Sequence, residues 1–130
     1  MKPSMLLIAM AALAMSALAD ESSNMSLPPR TPVSDARAVM LAAIQASNGD
    51  AHGVLTGDVA NAISQRFGAS SPIFIDVTTE RRYQQPGCSR LKVLFWQDGV
   101  LLPGAKAPRK QTMEFGINYC LDGLPPKSLR

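Results

Sequence analysis

From residue 34 onward the hydrophobic pattern of the chain changes period once, and that change divides it into two regions. Ala36, Val39, Met40, Ala43 and Ile44 recur at helical spacing. Ser34 offers a hydroxyl as N-cap, Asp35 puts a negative charge in the first turn, and Asn48-Gly49 supplies a stop. The spacing predicts a helix from about Asp35 to Ser47. Leu55, Val59, Ile63 and Phe67 then stand four apart, the apolar stripe of a second helix with Thr56 as N-cap and Gly68 as terminator. Asp50 to Gly53 reads as the connector between them. Two short helices so close in sequence predict an antiparallel helical hairpin.

After Ala69-Ser70-Ser71-Pro72 the period becomes two. Ile73, Ile75 and Val77 alternate with Phe74, Asp76 and Thr78, the mark of a half-buried strand. Leu91, Val93 and Phe95 mark a second strand; Met113, Phe115, Ile117 and Tyr119 mark a third. Between these two lies a long hairpin loop carrying the turn signals Asp98-Gly99 and Pro103-Gly104. The fold expected is α+β: an N-terminal helical hairpin packed on one face of a three-stranded antiparallel sheet, with one disulfide. In that arrangement Phe115 sits in the middle of the covered face.

The N-terminal part changes the picture of where the chain acts. Met1-Lys2 gives a short basic start, residues 5–15 are unbroken apolar, and Ala17-Leu18-Ala19 precedes Asp20. That is the three-part pattern of a cleaved secretory signal, and it is too short to span a bilayer. No cysteine follows the apolar run, so a lipid anchor is not expected. The organisation expected is a signal peptide over 1–19, a polar, proline-bearing flexible lead-in over 20–33, and one domain over 34–130. The chain is then exported to the periplasm, with no stable membrane anchor after cleavage. About 110 residues remain, which suits one modest core.

Export makes the two cysteines, Cys88 and Cys120, a disulfide pair. Setting them opposite each other on antiparallel strands fixes a register. Leu91 then faces Ile117, Val93 faces Phe115 and Phe95 faces Met113, three apolar pairs on one face. Covalent link and hydrophobic pattern agree. The bridge falls on the opposite face, near Lys92, Trp96, Glu114 and Asn118.

Charge and candidate chemistry narrow function mostly by exclusion. The formal net charge of the whole chain is only +3, too weak a balance to argue for nucleic acid as a partner. His52, the single histidine, falls in the expected connector and reads as a solvent-exposed loop residue. One histidine and a bridged cysteine pair do not make a zinc site, and no metal or cofactor is expected. Asp76 and Glu80 share a strand face and read as solvated charges. Glu80-Arg81-Arg82-Tyr83 joins two arginines to an aromatic and reads as a solvated strand end, with an acidic partner as the alternative. Trp96 is the only tryptophan. Its parity places it with Leu94 and Phe74 on the face away from the core. Those three residues are the candidate partner-binding patch, unless the loop Val100-Leu101-Leu102 folds back and buries Trp96.

Three segments resemble a known family. Pro86 to Val100, Gln111 to Phe115, and Ile117 to Pro126 are similar to small exported proteins of conjugative plasmids, the KikA type. The resemblance implies a periplasmic protein tied to conjugation or type IV secretion, harmful to some hosts, and it implies no enzymatic residue. The expected function is that of a non-enzymatic interaction protein that binds an envelope protein. A small secreted enzyme, or a toxin or inhibitor acting on an envelope target, is the alternative. A pocket in which His52 meets a carboxylate distinguishes an enzyme; a rigidly projecting loop from Val100 to Ala107 distinguishes an inhibitor.

Overall fold

A computed structural model describes residues 29–130. The signal peptide expected over 1–19 and the lead-in up to residue 28 lie outside the described residues. The elements in chain order are β1 (Thr31–Val33), α1 (Arg37–Gln45), β2 (Asp50–Leu55), α2 (Asp58–Arg66), β3 (Ile73–Arg82), β4 (Cys88–Val100) and β5 (Arg109–Cys120). The strands form one sheet in chain order, β1-β2-β3-β4-β5. β1 runs parallel to β2, and the other neighbours are antiparallel.

The α+β class stands, but the expected three-stranded sheet beneath a helical hairpin does not. The sheet has five strands and is mixed, because two segments read as irregular are strands. Thr31–Val33, the end of the expected lead-in, pairs with Gly53–Leu55. Asp50–Leu55, which takes in the expected connector Asp50 to Gly53 and the first residue of the expected second-helix stripe, pairs along its whole length with Ile73–Thr78. The helices are therefore separated by a strand, and β1-α1-β2 is a parallel unit bridged by its helix.

Gly53 is one of the residues that weaken the strand pattern of β2. A Cβ there would stand 2.6 Å from Val39 Cγ2 of α1, so the glycine lets the helix lie close against the strand. Gly49 ends the α1–β2 turn at φ 76°, which only glycine adopts without strain.

α1 buries Val39, Met40, Ala43 and Ile44, the stripe read from the sequence. They meet Ile75, Val77, Leu91 and Val93 of the sheet in one core. The helix ends differ from expectation. α1 begins at Arg37 after Ala36, without a side-chain cap. Asp35 instead accepts a hydrogen bond from the Arg37 backbone at 2.8 Å. At the other end Arg82 Nη1 donates to Ile44 O at 3.0 Å and Arg82 Nη2 to Ala46 O at 2.7 Å. One arginine of the Arg81-Arg82 pair thus caps the carbonyl end of α1, where a cation is favoured.

α2 departs furthest from its reading. It starts at Asp58 after Gly57, and the Thr56 hydroxyl donates to Val33 O rather than capping the helix. Leu55 belongs to β2. Only Ala60 of α2 is buried, while Val59 and Ile63 are exposed. Polar contacts hold the helix in place: Gln97 Nε2 donates to Ser64 Oγ at 3.0 Å and to Ser71 O at 2.8 Å, and the Leu101 amide donates to Phe67 O.

The register of β4 and β5 is the expected one. Cys88 pairs with Cys120, Leu91 with Ile117, Val93 with Phe115 and Phe95 with Met113. The disulfide is formed, across Cα atoms 4.0 Å apart. Phe115 nevertheless does not lie in the core. It is 38% exposed and stacks on Phe95 at a centroid distance of 6.2 Å. The physical reason is reach. α1 runs back along the strand direction to join parallel β1 and β2; a helix about 10 Å across lies mainly over β2 and β3 of a sheet about 19 Å wide, and it leaves the β5 edge uncovered.

Candidate functional site

The face opposite α1 carries the even-numbered side chains of β3 and β4, and its centre is Asp76. β2 brings His52 beside it, since His52 and Asp76 are register partners. β4 brings Leu94 opposite Asp76, and Trp96 opposite Phe74. Arg30, just before β1, reaches across β2. Three donors converge on the carboxylate: His52 Nδ1 at 2.6 Å and Arg30 Nη1 at 2.9 Å on Oδ1, and Trp96 Nε1 at 2.7 Å on Oδ2.

These contacts set the electrostatics. Burial pushes the Asp76 carboxyl up, but hydrogen bonds from His52, Arg30 and Trp96 and the Arg30 charge outweigh it, and the group is held below the ordinary aspartate range. An ionised carboxylate only accepts, so His52 donates from Nδ1, as its neutral Nδ1–H tautomer or as the imidazolium. Nε2 is left for an outside partner. The Arg30 side chain is 10% exposed, less than Asp76 or His52, and its Nε is buried without a hydrogen-bond partner.

Two of the three residues of the expected patch are in contact. The Phe74 and Trp96 rings lie 4.4 Å apart between centroids, tilted at 51°. The Arg30 guanidinium sits 4.2 Å over Phe74, and the Lys110 ammonium 4.3 Å over Trp96. Each is a cation–aromatic contact. Leu94 is half-buried on the same face. Leu101 and Leu102 of the loop remain exposed.

His52 is therefore not the exposed loop residue expected. It lies within β2, half-buried and oriented by a carboxylate. Asp76 is likewise no solvated charge, although Glu80 is exposed, at a register shift in β3. The only signal for this cluster was the shared parity of Phe74, Asp76, Leu94 and Trp96. Arg30 and His52 stand 46 and 24 residues from Asp76 and join it only through the sheet order.

Chemically, the pair orients an imidazole and offers Nε2. Among the described residues no serine, threonine or cysteine side chain is hydrogen-bonded to His52. Nor do three or more His, Cys, Asp or Glu side chains gather there as a metal site. A cavity of about 610 Å³ lies elsewhere, between α2 and β4–β5 on the α1 side, and it does not include His52. No helix among the described residues is long and apolar enough to cross a membrane. Set against known proteins, the chain matches no family model, no curated protein and no solved structure.

Proposed function

We propose that the chain is a periplasmic, non-enzymatic interaction protein whose open sheet face contacts an envelope protein, as an accessory to conjugation or type IV secretion. The observation that carries this reading is the open face itself. Both helices pack on the other side, leaving Trp96, Phe74 and Leu94 beside cations. A rigid aromatic pair flanked by Arg30 and Lys110 has the composition of an interface centre, where Trp and Arg are enriched. The disulfide supports export, since such bonds persist in oxidising compartments. The tie to conjugation rests on the resemblance of Pro86 to Val100 and Ile117 to Pro126 to the plasmid family.

The enzyme alternative draws on one observation, the His52–Asp76 contact. It meets only half of the distinguishing criterion, because the pair lies on an open sheet face rather than in a pocket.

Leu94→Ser tests the reading. Leu94 stands opposite Asp76 without hydrogen-bonding to it, so a small neutral residue removes the apolar contact surface without setting a second carboxylate beside Asp76. Transfer frequency from donor cells carrying the variant should fall at least tenfold, with normal periplasmic protein levels. Unchanged transfer at normal protein levels overturns the assignment of this face.

A further inference from the structure

On the α1 side a trough of about 610 Å³ runs between α2 and the β4–β5 hairpin. Its walls are Val59, Ile63 and Phe67 on one side and Phe95, Met113 and Leu102 on the other. The opening is built in. Gln97, buried and bonded to Ser64 and Ser71, props α2 away from the sheet, and Leu101 ties to Phe67. Val59 is 61% exposed and Met113 59%, both facing the trough. A volume of this size is typical of small-ligand sites, which run to ~300–1,000 Å³.

Unpaired charge lies at one end. A second hollow continues from the first through Val100, Leu102 and Gln111, and it is lined by Lys106 and Arg109. Neither cation makes an ion pair among the described residues. The acid on the trough wall, Asp35, is already paired with Arg37 at 2.9 Å. The Gln97 amide nitrogen is likewise occupied. A peptide laid along such a wall finds few partners for its backbone groups, and burying them unpaired is costly.

We infer that this trough binds a free single-chain amphiphile with an anionic head, of the fatty-acid class. The chain lies along Val59, Ile63, Phe67 and Met113, and the head meets Lys106 and Arg109. The apolar length supplies affinity by burial, and the two cations select the charge of the head. Trp96 contributes to the lining of this trough, but the trough opens on the α1 side of the sheet and its ligand does not depend on the assignment of the opposite face.

Laurate titrated into the disulfide-intact protein below its micellar concentration tests the inference by calorimetry, with dodecanol as the uncharged arm. One laurate per chain is expected. Lys106→Glu/Arg109→Glu, at two exposed positions, should weaken laurate roughly 5- to 20-fold and leave dodecanol unchanged. Val59→Asp should abolish both without changing the melting temperature. Three results overturn the inference: no saturable laurate binding, laurate binding indifferent to both variants, and recruitment to phosphatidylglycerol vesicles without binding of free laurate. A dimer broken by Val59→Asp, in protein that binds no laurate, also overturns it and assigns the trough to a second copy of the chain.

Discussion

Replacing Asp76 with alanine removes the acceptor on which three elements converge. The loss leaves the Arg30 guanidinium, 10% exposed, without a counter-charge, and frees Trp96 Nε1 and His52 Nδ1 from their partner. Removing one member of a fully buried ion pair costs about 3–5 kcal/mol. Asp76 keeps 22% of its side-chain surface in contact with solvent, so screening reduces the expected loss to about 2–4 kcal/mol. Asp76→Asn retains one acceptor oxygen but turns an amide toward a donor, and about 1–2 kcal/mol is expected. Urea unfolding at pH 7, with the disulfide intact, measures both. The pH dependence gives a second check with a defined sign. Because the folded carboxyl titrates below the ordinary aspartate range, its contribution is complete above the unfolded value of about 4 and disappears as pH falls through the folded one. The stability gap between wild type and Asp76→Asn should therefore be constant at neutral pH and shrink below about pH 4. A loss under ~1 kcal/mol for Asp76→Ala, or a gap that widens in acid, refutes the network as described.

Leu91→Ala, at a fully buried position, should cost about 2–5 kcal/mol, whereas Phe115→Ala on the uncovered edge should cost under about 2 kcal/mol; paired chemical unfolding curves measure the difference. Arg82→Ala removes the cap on Ile44 O and Ala46 O and should speed amide hydrogen exchange in the last turn of α1, with a loss of about 1–2 kcal/mol. Non-reducing peptide mapping should recover one peptide linked through Cys88 and Cys120, and serine at both positions should lower stability by about 2–4 kcal/mol.

The sequence made the β4–β5 pairing legible because two independent constraints coincide there. The cysteines and the apolar alternation of Leu91, Val93 and Phe95 with Ile117, Phe115 and Met113 demand one register. β2 was hidden because Asp50, His52 and Gly53 are poor strand formers. Gly53 reports helix packing rather than a turn, which becomes visible only once Val39 lies over it. The α2 stripe was read correctly as apolar but wrongly as core. Periodicity shows which face is apolar, and says nothing of whether that face is filled. The patch of Phe74, Leu94 and Trp96 was legible from strand parity alone. Its anchor was not, because Arg30 lies in a stretch read as flexible and His52 in one read as a connector. Residue composition within those stretches gave no hint that a five-stranded sheet brings both to Asp76.

The central claim, that the open sheet face is the partner surface, is tested most directly by site-specific photocrosslinking in donor cells during conjugation. A photoreactive side chain at Leu94 should form a discrete adduct with a component of the transfer apparatus, lost when that apparatus is deleted. The same group at Thr78, further along the open face from Trp96, should give the adduct weakly, and at Val59, on the α2 side, not at all. An adduct that forms at Val59 but not at Leu94, or one that persists without the apparatus, contradicts the account.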